Sequence, residues 1–230
     1  MTWAIPAPEQ PFLPITNSDQ KFPVRRIFCV GQNYAAHARE MGSNPERELP
    51  FFFTKPADAL VPDGASIPFP PGTSNLHHEV ELVVAIGKGG ADIAVDEALD
   101  HVWGYAVGND LTRRDVQADA KSAGRPWDMA KGFDRSAPCG ALHPAQSVGH
   151  FAQGGISLAV NGELRQSSDI SDLIWPVADV ISYLSSLVEL HAGDLIFTGT
   201  PEGVGPLKPG DTCVAQIDGL GSVINKVQQS

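Results

Sequence analysis

The run HHEVELVVAIG at 77–87 constrains this chain more than any other segment. In an extended strand, residues i and i+2 share a face. Val80, Leu82, Val84 and Ile86 therefore share one face, and Glu79, Glu81, Val83 and Ala85 the other. Both faces are apolar beyond Glu81, so the spacing predicts a strand covered on both sides with two carboxylates at its mouth. Like charges beside a covered region repel and lose water, a cost that a cation or a proton must offset. A third acid, Asp110, ends the strand-like run VWGYAVGND at 102–110. An all-oxygen carboxylate set without cysteine suits a hard divalent ion, Mg²⁺ or Mn²⁺.

Around that strand the pattern predicts many short strands and few helices. RRIFCVG (25–31) reads as a buried strand, and FFFTKP (51–56) as an aromatic strand stopped by proline. Between them a short helix is expected, capped by Asn33, filled by Tyr34 to Met41 and ended by Gly42. A helix is expected near 95–101, and residues 111–123 also have helical spacing. ISLAVNGELRQ (156–166) reads as a hairpin turning at Asn161-Gly162. The one long helix is expected at 176–189, with Val177, Val180, Ile181, Leu184 and Leu187–Val188 as its apolar stripe. LIFTGTP (195–201), TCVAQI (212–217) and SVINKV (222–227) are late strands, while residues 57–76 carry turn signals. With 230 residues, no internal repeat and no linker, a single domain over 24–230 is expected, preceded by a proline-rich arm at 1–23. The pattern favours a β-rich roll or sandwich over a doubly wound α/β fold.

A net charge of −11 argues against nucleic acid or an anionic membrane as the main partner. Three scattered cysteines without a CxxC pair read as reduced thiols of a cytosolic protein. The opening residues lack the basic start and apolar core of a signal peptide, and no apolar run reaches the roughly 20 residues of a membrane span. A soluble, cytoplasmic protein is expected.

Two further groups join the acids. Arg113, Arg114, Lys121, Arg125, Lys131 and Arg135 are six of the sixteen lysines and arginines, within 23 positions. Such a cluster in an acidic chain can recruit an anion, although a solvated helix face paired with Asp115, Asp119 and Asp128 accounts for most of it. His37 and Glu40 lie at i, i+3 on the short helix, where a carboxylate raises the basicity of an imidazole and orients it as a general base. An isolated pair of that kind is usually only surface. TGTPEGVGP (198–206) has glycines that permit close backbone approach but lacks the lysine of a P-loop. His77 and His78 face opposite ways, so at most one joins Glu79. Cys29 reads as core. A nucleophile elbow, a zinc helix and a dinucleotide fingerprint are all missing.

Seven segments together carry a resemblance to a known family: VGQNYAAHAREMG (30–42), FFFTKPADAL (51–60), HHEVELVVAIGKG (77–89), GYAVGNDLTRRDVQ (104–117), GRPWDMAKGFD (124–134), VNGELRQ (160–166) and GDLIFTGTPEGVGPLKPGD (193–211). Over about 24–227 the chain resembles the fumarylacetoacetate hydrolase family, in its acylpyruvate hydrolase branch, and within it the fumarylpyruvate hydrolases. The resemblance implies an α+β, β-rich fold, a mixed β-sandwich roll with short helices and a lid helix, in a homodimer. It implies metal ligation by Glu79, Glu81 and Asp110, a catalytic pair of His37 and Glu40 on the lid helix, and an oxyanion contact from Lys131. It implies substrate contacts from Arg114, Gln117 and Thr200. Many members carry arginine where this chain has Gln32.

The implied reaction is metal-dependent hydrolysis of a carbon–carbon bond in an acylpyruvate, fumarylpyruvate giving fumarate and pyruvate in gentisate-type aromatic catabolism. His37 would take a proton from water, the hydroxide would attack the distal carbonyl, and the metal would stabilise the departing pyruvate enolate. The same metal site also serves oxaloacetate decarboxylation and the isomerase or decarboxylase steps of the homoprotocatechuate pathway. A non-catalytic 2-oxo acid binding protein is the alternative of another class; it has no need of the His37/Glu40 pair.

Overall fold

The structure, a computed structural model, describes residues 2–40 and 49–229, without the Glu40 side chain. The two-sided strand is Val80–Ile86, buried at all seven positions. It runs antiparallel between Asp194–Phe197 and Val102–Asn109. These strands form the middle of an eight-stranded mixed sheet. Its path is Phe51–Lys55, Arg26–Gly31, Asp194–Phe197, Val80–Ile86, Val102–Asn109, Ala137–Cys139 and Leu60–Pro62, with His143–Pro144 also on Val102–Asn109.

The period of two sorts the side chains of Val80–Ile86 between two cores. Val80, Leu82, Val84 and Ile86 pack with Ile156, Leu158, Ala215 and Val223, which belong to a five-stranded sheet laid over that face. Val83 and Ala85 point into the second core, with Leu13 and Phe22. Those two residues come from a small hairpin, Phe12–Pro14 against Lys21–Pro23, which covers the opposite face. Arg26–Gly31 divides in the same way, Phe28 and Val30 into the first core and Ile27 and Cys29 into the second. The five-stranded sheet runs Glu163–Asp169, Gly155–Val160, Thr212–Ile217, Gly221–Gln228 and Ser66–Pro68. The β-rich α+β architecture is thus as expected.

The hairpin turn falls at Asn161 (φ 54°) and Gly162 (φ 82°), both left-handed as a two-residue turn of that twist requires. Three local readings differ from the structure. The long helix spans Val177–Leu187, and Leu187 is exposed, because the chain turns extended at Val188 before the stripe completes another turn. The helix near 95–101 is a 3₁₀ turn at Ala98–His101. Asn33 does not spend its side chain capping the short helix, Ala35–Glu40. Its carboxamide donates to the carbonyls of Trp175 and Thr198 and accepts from the Trp175 N–H. Tertiary partners thereby outcompete the local cap and tie the helix entrance to two distant loops. The predicted helix positions Met41 and Gly42 lie outside the described residues.

Glu79 marks a break. Leu76–His78 leaves the large sheet and pairs with Thr112–Arg113 and Gly205–Leu207. The Glu79 N–H donates to Asn109 Oδ1 and its carbonyl accepts from Asp110 N, so the two strand ends stay clamped where the acids emerge.

Candidate active site

Glu79 and Glu81, which the alternation puts on one face, converge with Asp110. All three are buried, and one oxygen from each lies within 4.8 Å of the others. They form the floor of a cleft whose walls include Gln32, His37, Phe53, Arg114, Gln117, Trp127, Lys131 and Thr200. Candidate residues from five separate segments therefore meet in one place. Glu40 ends the helix that carries His37; its side chain lies outside the described residues.

Each acid has its own electrostatic environment. Lys131 Nζ donates to Glu79 Oε2 and to Asp110 Oδ2, each at 2.7 Å. Arg114 bonds Glu79 Oε1 through Nη2 and reaches Gln117 Oε1 through Nη1 at 2.6 Å. Burial works to raise the Glu79 pKa, but Lys131 and Arg114 outweigh it and hold the carboxyl well below its usual range. Glu81 has no ion pair among the described residues. Its Oε2 accepts the Gly199 N–H at 2.8 Å. Burial, then the negative neighbours Asp110 and Glu79, pushes its carboxyl well above the usual range. Burial alone would lower the Lys131 pKa, yet Asp110 and Glu79 raise it, so its ammonium stays charged.

These residues fit a hard divalent cation. The donor set is all carboxylate, and among the described residues Glu81 has no ion-pair partner and Asp110 Oδ1 is buried without a hydrogen bond. Lys55 Nζ stands 2.8 Å from that oxygen, and its hydrogen bonds go to the Leu111 and Lys131 carbonyls. Gly199 is what brings the N–H to Glu81. Its φ is +99°, and a Cβ there would stand 2.7 Å from Asn33 Cβ. The TGT segment is thus part of the site rather than a bare turn.

Of the six basic residues in the cluster, Arg114 and Lys131 line the cleft. Arg113 instead donates to the Met129 carbonyl and lies over the Phe133 ring, while Lys121, Arg125 and Arg135 are exposed. Asp115 accepts from Thr73 and from the Ser74 backbone N–H. Arg114 and Gln117 sit one turn apart on the helix Arg114–Ser122, and Lys131 closes the helix Asp128–Lys131. Gln32 holds a left-handed backbone (φ 57°) at the cleft wall, an unusual conformation for a residue with a side chain. Cys29 lies buried in the core, its thiol pushed up by burial and then by Asp110.

Two residues escaped the sequence reading. Lys55 sits at the end of an aromatic strand, where a lysine ordinarily reaches solvent, yet its side chain is fully buried against Asp110. Gln166 is wholly buried and bonded to Thr200 Oγ1 at 2.8 Å. The one available signal for each was a polar residue inside an otherwise matching segment.

Comparison with known proteins adds context to this geometry. A family model described as Fumarylacetoacetate (FAA) hydrolase C-terminal matches residues 26–228. The chain is 58% identical, with a TM-score of 0.95, to the crystal structure of fumarylpyruvate hydrolase from Pseudomonas aeruginosa in complex with Mn²⁺ and pyruvate, covering 97% of this chain and 98% of that one. It is 46% identical to a fumarylpyruvate hydrolase of Ralstonia sp over 76% of this chain and 91% of the relative. It is 45% identical to the mitochondrial oxaloacetate tautomerase FAHD1 of Mus musculus over 90% of this chain and 93% of the relative.

Proposed function

The chain belongs to the fumarylacetoacetate hydrolase family, in its acylpyruvate hydrolase branch, and from that premise we propose that it hydrolyses fumarylpyruvate to fumarate and pyruvate. The observation that carries this reading is the 58% identity, over nearly the whole of both chains, to a fumarylpyruvate hydrolase solved with Mn²⁺ and pyruvate.

In this reading Glu79, Glu81 and Asp110 hold a divalent cation, Mg²⁺ or Mn²⁺. When bound, the cation supplies Lewis-acid stabilisation of the charge that develops on the pyruvyl half as the carbon–carbon bond breaks. The chain's own groups do the rest. His37, oriented by Glu40, takes a proton from the attacking water. Lys131 stays charged between two carboxylates, so it acts as an electrostatic stabiliser of the oxyanion and not as a base. Arg114, Gln117 and Thr200 hold the anionic substrate, and Phe53 and Trp127 give the cleft an apolar wall. The reading extends to a cytoplasmic homodimer serving gentisate-type catabolism.

A second reaction has specific support, because the chain is also 45% identical to an oxaloacetate tautomerase. The discriminating experiment supplies the protein and Mn²⁺ with fumarylpyruvate or with enol-oxaloacetate and identifies the products. Stoichiometric fumarate and pyruvate support the hydrolase. Rapid enol–keto interconversion of oxaloacetate with fumarylpyruvate left intact supports the tautomerase instead.

A further inference from the structure

We infer that Gln166, which does not line the cleft, is a positioning residue that makes the Thr200 hydroxyl a hydrogen-bond donor to the carboxylate of the substrate's pyruvyl half. The inference rests on the proposed binding of an anionic 2-oxo acid in the cleft and adds a residue to it.

The orientation of Gln166 follows from its fixed neighbours. Its Oε1 accepts the Val80 backbone N–H at 3.1 Å, and its Nε2 donates to the Pro201 carbonyl at 2.9 Å. A backbone N–H can only donate and a backbone carbonyl can only accept, so the carboxamide cannot be flipped. His78 Nδ1, 2.9 Å from the same Oε1, must therefore carry a proton and donate to it. All the capacity of the side chain is used, and the residue is fully buried.

The consequence reaches the cleft through Thr200. Gln166 Nε2 donates to Thr200 Oγ1 at 2.8 Å, which fixes that oxygen as an acceptor on its inner side. Thr200 has no acceptor for its own proton among the described residues, and it lines the cleft beside the carboxylate cluster. Its O–H is thus left to face the ligand. A carboxylate can only accept, so the hydroxyl is preset for an anionic oxygen and needs no reorganisation when one arrives.

The probe is pyruvate binding to the Mn²⁺-loaded full chain by calorimetry, alongside kcat and KM for fumarylpyruvate. Thr200→Val should weaken pyruvate roughly ten- to hundredfold, the range for a lost hydrogen bond to a charged group, while Thr200→Ser stays close to wild type. Gln166→Glu keeps the shape but supplies an oxygen that accepts the Thr200 proton, so it should weaken pyruvate as Thr200→Val does. In the Thr200→Val background it should add nothing. KM should rise more than kcat falls, since a ground-state contact is lost. Should Gln166→Glu fail to fold, Gln166→Asn, which withdraws the amide without adding a carboxyl, serves in the same cycle. Unchanged pyruvate affinity in Thr200→Val overturns the inference, as does a Gln166 effect that multiplies fully with Thr200→Val. The substrate reading fails separately, when wild type binds pyruvate with this variant pattern yet leaves fumarylpyruvate uncut.

Discussion

The Gly199 backbone N–H donates to Glu81 Oε2 at 2.8 Å, and Glu81 has no ion pair among the described residues. A buried acid held by a single backbone amide sits between two carboxylates that carry their own cations. That asymmetry accounts for the expected affinity for a metal and makes the Gly199 position a test of it.

Gly199→Ala forces a side chain into a left-handed backbone and against Asn33 Cβ. The strained backbone and the overlap together cost about 2–4 kcal/mol. The variant should melt several degrees below wild type and bind Mn²⁺ weakly, as read by calorimetry and thermal melts. A wild-type melting temperature with normal metal affinity would show that the loop can relax without disturbing Glu81.

Glu81→Gln removes the acid that lacks a cation. Turnover and tight Mn²⁺ binding should be lost, while the metal-free protein becomes at least as stable as wild type. The pH dependence has a definite sign. Burial and the neighbouring acids raise the folded carboxyl above its unfolded value, so the metal-free fold binds a proton that the unfolded chain gives up. This contribution is fully present below the unfolded pKa and is lost as pH rises through the raised folded one. Metal competes with that proton, so Mn²⁺ affinity should climb with pH and binding should release a proton. Calorimetry in two buffers of different ionisation enthalpy measures the release; none in wild type would mean that Glu81 is already ionised.

Lys55→Met keeps most of the side-chain volume but strips Asp110 and the Lys131 carbonyl of their shared cation. Breaking a buried pair by removing one partner costs about 3–5 kcal/mol. The variant should be strongly destabilised without metal and partly rescued by saturating Mn²⁺, seen as a larger metal-induced rise in melting temperature than in wild type. An equal rise in both proteins would indicate that Lys55 does not share Asp110 with the cation.

His37→Ala should lower kcat by roughly 10²–10⁴-fold, the usual contribution of a general base, with Mn²⁺ affinity little changed. Unaltered turnover would remove His37 from the chemistry and leave the cleft without its proposed base.

Much of this was legible because it depends on local periodicity. The alternation from Val80 to Ile86 foretold two cores and a shared face for the acids, and Asn161-Gly162 foretold its own turn. Less was legible where a side chain finds its partner far along the chain. Asn33 has the chemistry of a helix cap, yet residues more than 140 positions away claim its carboxamide. Lys55 and Gln166 belong to the same class, since nothing within their own strands reveals that Asp110 or Thr200 stands opposite. The resemblance supplied Gln117 and Thr200, which spacing alone had not singled out.

Metal-dependent cleavage is tested directly by following the ultraviolet absorbance of fumarylpyruvate with metal-stripped protein, before and after Mn²⁺ is restored. The stripped protein should cleave nothing, and restoring Mn²⁺ should abolish the chromophore with equimolar fumarate and pyruvate formed. Undiminished cleavage in the presence of a chelator, or an intact chromophore with Mn²⁺ bound, would contradict metal-dependent cleavage.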